Sequence, residues 1–245
     1  MLLDSPVKVD LLGIGVHPDD VELGCIGTLM KHQRNGKTFG IVDLTGGELG
    51  TRGDKHTRLK EANESAKISK ATFRTNLHYR DGFFTINEKT LLPLISAIRS
   101  SRPDIVLGNA TRDRHPDHGR ASTLISEACF LSGLIKIKTL DSEGNSQEAW
   151  RPKRVYHYVQ DYSPIPDFAI DITRTMDDKI ATIMAFKSQF FNPDSNEPQT
   201  PISSQDFIQF VEGKARVYGR QIEATFAEGF TVDSYLKVND LYHTI

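Results

Sequence analysis

The sequence predicts an α/β fold, a doubly wound, mostly parallel sheet with helices on both faces. Three observations predict it. Short apolar runs without strict alternation recur through the first half of the chain, as expected of strands buried on both faces. Segments with helical spacing of apolar residues separate those runs, giving the order β-α-β-α-β-α-β-α. Two related strings, His17-Pro18-Asp19-Asp20 and His115-Pro116-Asp117-His118, each follow one of the apolar runs.

Each element has its own signal. Residues 7–16 (VKVDLLGIGV) form a buried strand, and residues 20–34 the first helix, with Leu23, Ile26 and Met30 on its inward face. Pro18 suits the first position of that helix, where a missing N–H costs nothing, and Asn35-Gly36 ends it. A second strand covers 38–44, and the Gly-rich stretch 46–53 is a loop. A charged surface helix covers 54–70, a third strand 76–79, and a helix 88–99, where Pro93 is tolerable only near the first turn. The fourth strand, 104–109, runs into the second string, and Pro116 opens a helix over 117–131. Further on, 140–149 is a polar surface loop, 155–159 and 168–172 are strands, and 176–188 and 205–224 are helices. The proline-bearing stretch 191–204 is a loop long enough to act as a lid. No linker divides the chain, so residues 1–245 are expected to form a single domain.

Composition narrows the function classes. The chain has 245 residues, 38% hydrophobic and 25% charged, which suits a soluble globular protein with a sizeable core. Thirty basic and 32 acidic residues leave a net charge of −2, with no polybasic face for nucleic acid. No apolar stretch is long enough to span a bilayer. The start, Met1-Leu2-Leu3-Asp4-Ser5-Pro6, lacks the pattern of a signal peptide. Cys25 and Cys129 are isolated from each other, as in a reducing compartment. A cytoplasmic location is expected.

The chemistry sits in the two strings. In the strand order 3-2-1-4, strands one and four are neighbours, and ligands bind in the crevice at their carboxyl ends. The strings would meet there. His17, Asp20 and His118 then supply two imidazoles and a carboxylate, the donor set of a catalytic zinc; iron or another divalent ion suits the same atoms. Asp19 is left to take a proton from water. His115 is placed to stabilise an oxyanion or protonate a leaving amine, with Asp117 orienting it and keeping it cationic. The plainer reading makes these aspartates helix caps. Arg58 alone reads as a solvated charge. His32, His56, His78, His157 and His243 read as surface or packing residues, and Trp150 as a packing anchor.

A rival reading is a nucleotide-binding module. Gly13-x-Gly15-x-x-Pro18 is a broken GxGxxG, and Asp43 falls where a ribose-binding acid would. Against it, the loop carries carboxylates that repel a pyrophosphate. A catalytically silent protein that keeps the metal site also remains open. No GxSxG elbow is present for a serine hydrolase.

The segments His17-Pro18-Asp19-Asp20-x-Glu22-x-Gly24 and Arg114-His115-Pro116-Asp117-His118 resemble the LmbE-like zinc N-deacetylases, which act on N-acetylglucosamine conjugates. Asp43-Leu44-Thr45, Arg58-x-x-Glu61-Ala62, Ser188-Gln189-Phe190 and Ala227-Glu228-Gly229-Phe230 look most like the bacillithiol-biosynthesis branch, which deacetylates N-acetylglucosaminyl malate. The resemblance implies a Rossmann-like fold and hydrolysis of a linear amide. It implies zinc on His17, Asp20 and His118, Asp19 as general base, His115 as oxyanion partner or acid, and Asp117 as its orienting partner. It raises Arg58 to a substrate contact, and it implies a homo-oligomer, a hexamer. The insertion 141–150 and the loop 46–53 depart from the branch pattern, which leaves the aglycone open, another N-acetyl sugar conjugate being the alternative.

Overall fold

In the computed structural model, which describes residues 7–244, the strand predicted at 7–16 is β1 (Leu11–Gly15), every residue of it buried. The leading hexapeptide lies outside the described residues. Along the chain follow α1 (Asp20–Gly24), α2 (Ile26–Arg34), β2 (Phe39–Thr45), α3 (Lys55–Ser69), β3 (Phe73–Tyr79), α4 (Glu88–Ser101), β4 (Ile105–Gly108) and α5 (Pro116–Leu131). Then come β5 (Arg154–Tyr158), β6 (Phe168–Asp171), α6 (Met176–Met184), α7 (Asp206–Gln221) and β7 (Ala227–Val232). The sheet has seven strands in the order β3-β2-β1-β4-β5-β7-β6. β1 to β5 run parallel, and β7 is antiparallel to both β5 and β6. β1 therefore lies between β2 and β4, as the sequence predicts, with Gly13 level with Leu107.

The sheet separates two apolar layers. Leu12, Ile14 and Val106 pack with Leu94, Ile98, Leu124 and Ile125 of α4 and α5. Leu11, Ile41 and Leu107 pack with Val21, Ile26 and Leu29 of α1 and α2 on the other face. Helices on both faces are thus required to cover strands that are apolar on both sides. A Cβ on Gly13 would lie 3.0 Å from Leu29 and from Val21, and one on Gly15 would lie 2.9 Å from Asp20 Cβ. These glycines let the helices approach the sheet.

Four details differ from expectation. The first helix is two. It breaks at Cys25, whose φ of −148° leaves the helical region, and Glu228 accepts from the N–H groups of Gly27 and Thr28, capping a fresh start. Lys179 neutralises Glu228 from α6 at 2.5 Å and also donates to Leu23 O. Pro18 does not open a helix: Asp19 intervenes with φ 138°, and α1 starts at Asp20. Pro93 sits in the second turn of α4, not the first. β7 was not foreseen, since Glu228 and Gly229 interrupt its apolar pattern; the acid is tolerated because the bonds just described satisfy it. Trp150 packs against the core and donates to Pro103 O, as a packing anchor does.

Candidate metal centre and active site

Both strings leave the carboxyl ends of adjacent strands, β1 and β4, and the structure brings them together. The rings of His17 and His115 lie 4.8 Å apart, those of His115 and His118 5.2 Å, and those of His17 and His118 5.7 Å. One nitrogen from each of these three histidines falls within 4.8 Å of the others. Asp20 sits beneath them, with Oδ1 3.3 Å from His118 Nε2 and Oδ2 3.7 Å from His17 Nδ1. Two tetrahedral ligands, each about 2.0–2.1 Å from a zinc ion, stand roughly 3.3 Å apart. The Asp20–His118 separation matches that spacing, while Asp20 meets His17 through its other oxygen at the longer distance; the three imidazoles and this carboxylate are donors suited in chemistry to a divalent metal.

Asp20 is the most restrained group of the site. Its Oδ2 accepts from the N–H of Val16 and His17 and from Asn109 Nδ2, and its Oδ1 accepts from Gln160 Nε2. Burial alone would raise its pKa, but His118, His17 and these donors hold it well below the usual carboxylate range. Asp19, its neighbour, behaves oppositely. Burial, opposed by Arg58 and reinforced by Asp20, lifts it to about 7. As first residue before α1 it makes no side-chain capping bond. Arg58 holds it instead, with Nη2 3.2 Å from Asp19 Oδ2. Arg58 is buried, contrary to the solvated charge that spacing alone suggests. Its guanidinium also donates to Pro18 O and Gly47 O. Gly47 has φ +65°, and a Cβ there would fall 1.8 Å from Arg58 Nη1, so a glycine is needed.

The second string is arranged differently from the first. His115 is the N-cap of α5, and its Nδ1 accepts from the Asp117 N–H at 3.3 Å, leaving Nε2 to carry the proton of the neutral ring. Burial, then His17 and His118, lower its pKa. Asp117 thus meets His115 through its amide; its carboxylate accepts from Gly82 N and from Arg120. That carboxylate also lies with His17 and Asp81 in a second group of potential metal donors.

Three residues that the sequence reading passed over complete the site. Asp113 accepts from His118 Nδ1 at 2.5 Å, and Asp81 pairs with His17 Nε2 at 3.0 Å. Carboxylates in these places orient metal-binding imidazoles. Gln160 joins Asn109 under Asp20. Asp113 had a signal, since it stands two residues before His115; Asp81 and Gln160 had none. The strings line a cavity of about 240 Å³ together with the apolar side chains of Leu23, Ile202, Phe207, Phe210 and Val211. The loop at 191–204 supplies Ile202 and is tied to the Gly-rich loop by Arg52 to Ser195 and by Gly53 N to Glu197.

The nucleotide reading loses its supports. Asp43 is buried and gripped by Arg74 through Nε and Nη2 at 2.7 and 2.8 Å, so it has no oxygen to offer a ribose. Gly13 and Gly15 serve helix packing. His157 is buried, with Nδ1 bonded to Asn109 O, whereas His56 and His78 are exposed and His32 binds Thr28 O. The side chain of His243 lies outside the described residues.

Residues 12–129 match the family described as PIG-L: GlcNAc-PI de-N-acetylase. The conserved protein TT1542 from Thermus thermophilus is 33% identical, with a TM-score of 0.83 over 95% of this chain and 98% of that one. The N,N'-diacetylchitobiose deacetylase from Pyrococcus horikoshii is 26% identical, with a TM-score of 0.74 over 94% and 84%. The diacetylchitobiose deacetylase of Thermococcus kodakarensis is 27% identical over 190 residues, 74% of this chain and 70% of that protein. The chain belongs to the PIG-L/LmbE-like deacetylase family. Among the described residues no helix is long and apolar enough to cross a membrane.

Proposed function

We propose that the protein is a metal-dependent hydrolase that removes acetate from an N-acetylglucosamine conjugate, with N-acetylglucosaminyl malate of bacillithiol biosynthesis as the first candidate substrate. The observation that carries this reading is the gathering of His17, His115 and His118 around the Asp20 carboxylate, with Asp19 buried beside them and facing the same cavity. His17, Asp20 and His118 would hold the ion, zinc in the first instance. A divalent ion there supplies Lewis acidity and brings the pKa of water toward about 7.

The remaining roles fall to the chain. Asp19 accepts the proton of the attacking water, and its raised pKa suits a base working near neutrality. His115, protonated on Nε2, donates to the oxyanion that forms on the acetyl oxygen. Asp117 fixes the tautomer of His115 through its N–H. Proton return to the amine nitrogen releases acetate and the free amino sugar. Arg58, on the cavity wall, keeps Asp19 in place and is proposed to touch the substrate.

Supporting features bear on the setting. Cys25 and Cys129 are both free and buried, which fits a reducing cytoplasm. Beyond β7, Tyr235 and Val238 are exposed, surface that a homo-oligomer such as a hexamer would cover. The test is metal analysis of the purified protein together with acetate release from a panel of N-acetylglucosaminides that includes the malate conjugate. Acetate from at least one conjugate, lost on chelation, is expected. No acetate from any of them at full zinc occupancy would overturn the reading.

A further inference from the structure

Three cationic side chains line the cavity: Arg58, Arg114 and Lys214. Two are already matched by carboxylates. Arg58 lies against Asp19, and Arg114 pairs with Asp161 at 2.5 Å. Lys214, on α7, has no carboxylate within ion-pair distance among the described residues. Its ammonium donates to the main-chain oxygen of Gln160 and lies 5.8 Å from the centre of the Phe210 ring. A carbonyl oxygen satisfies one of its three donors and none of its net charge.

The position of this charge matters. Gln160 holds Lys214 with its carbonyl and Asp20 with its side chain, so one residue spans the distance from the ammonium to the metal-binding strings. The acids that line the cavity, Asp19, Asp20, Asp81 and Asp113, already have Arg58, His17 or His118 against them. Lys214 brings to the same cavity a positive charge with no carboxylate in ion-pair contact among the described residues, and Ile202, Phe207 and Phe210 offer apolar surface for the atoms that carry an anion. Burial, then Lys179, bring the lysine pKa down to about 8, which still leaves it mainly charged at pH 7.

We propose that Lys214 is the specificity residue of this cavity, binding an anionic substituent, carboxylate or phosphate, on the part of the substrate beyond the acetylated amine. The proposal rests on the deacetylase reading and deepens it. Hydrogen bonds to a charged group contribute about 1.5–3 kcal/mol, on the order of a 10- to 100-fold effect.

The experiment uses the zinc-loaded enzyme and three substrates: N-acetylglucosaminyl malate, N-acetylglucosamine 1-phosphate and the neutral methyl N-acetylglucosaminide. The Lys214→Met variant keeps the apolar stem and removes the charge, and Lys214→Arg restores the charge. The expected result is a fall of about 10- to 100-fold in the ratio of kcat/KM on an anionic substrate to that on the neutral one, carried by KM and largely rescued by arginine. The malate and phosphate arms show which anion is recognised. An unchanged ratio overturns the proposal, whether activity is kept on all three substrates or lost equally on all three. Failure of the parent enzyme to release acetate from any substrate overturns the deacetylase reading itself, and this proposal with it.

Discussion

Arg58 holds Asp19 in the interior: Nη2 stands 3.2 Å from Oδ2, and both side chains are almost fully buried. The pair joins the start of α3 to the turn after β1. It also sets the proton affinity of Asp19. Burial raises that affinity and Arg58 opposes the rise. Removing the guanidinium should therefore push the Asp19 pKa higher still, leaving the base protonated at neutral pH. For Arg58→Met we expect kcat/KM at pH 7 to fall at least about tenfold and the acid limb of the pH–rate profile to move to higher pH. A profile that keeps its acid limb would break the link between the two residues.

The two aspartates of the first string should separate cleanly in mutants. Asp19→Ala is expected to retain zinc through dialysis and lose about 10²- to 10⁴-fold in kcat, the range for a missing general base. His118→Ala is expected to lose the metal itself. Zinc content by atomic absorption, set beside turnover, distinguishes the two. Turnover of Asp19→Ala at the parental rate would remove it from the role of base.

Asp113 orients His118 from behind, at 2.5 Å. Groups in this position typically alter metal affinity or activity by about 10- to 100-fold. Asp113→Asn keeps the shape and removes the charge. Competition against a zinc chelator should show a dissociation constant higher by about that factor. Equal affinity would make Asp113 a structural acid only.

The parallel half of the sheet was legible because its strands are apolar on both faces and its helices carry turn signals at their ends. The candidate site was legible where potential donors cluster in sequence, at 17–20 and at 115–118, which the structure brings together. Legibility failed where long-range pairing decides the outcome. β7 contains Glu228, which reads as exposed until Lys179 and the amides of Gly27 and Thr28 are placed around it. Arg58 reads as solvated until the turn at Gly47 folds over it. Asp81, 64 residues from His17, had no pattern to announce the contact. The break at Cys25 goes with the Glu228 cap, which comes from a distant strand.

Arg74 offers a test of the scaffold apart from the site. Its side chain lies between Asp43 and Glu22, all three buried, with bonds of 2.5–2.8 Å. Ser65 adds a hydroxyl to Glu22. Arg74→Met leaves two buried carboxylates without their cation. Breaking a buried pair in this way costs about 3–5 kcal/mol. Urea denaturation should show a loss of that size. A loss below about 1 kcal/mol would mean that the network adds little beyond packing.

Metal uptake should be coupled to protons in a direction set by His118. In the metal-free protein, burial pulls its pKa down, but Asp20 and Asp113 outweigh burial and raise it to about 10. The ring is therefore protonated at pH 8, and Nε2 must lose that proton before it can bind a metal. Binding at pH 8 should release at least one proton per ion, and affinity should fall at least about tenfold from pH 9 to pH 8. The folding contribution of the protonated ring runs the other way. It is fully present below the unfolded value of about 6.5 and is lost as pH rises through about 10. Metal-free protein should thus weaken toward pH 10 while zinc-bound protein gains, so that chelation lowers Tm more at pH 9 than at pH 7. Asp113→Asn removes one source of the raised pKa and should reduce proton release at pH 8. Titration calorimetry in two buffers of different ionisation enthalpy measures the release directly, and a value near zero at pH 8 would take His118 out of the metal set.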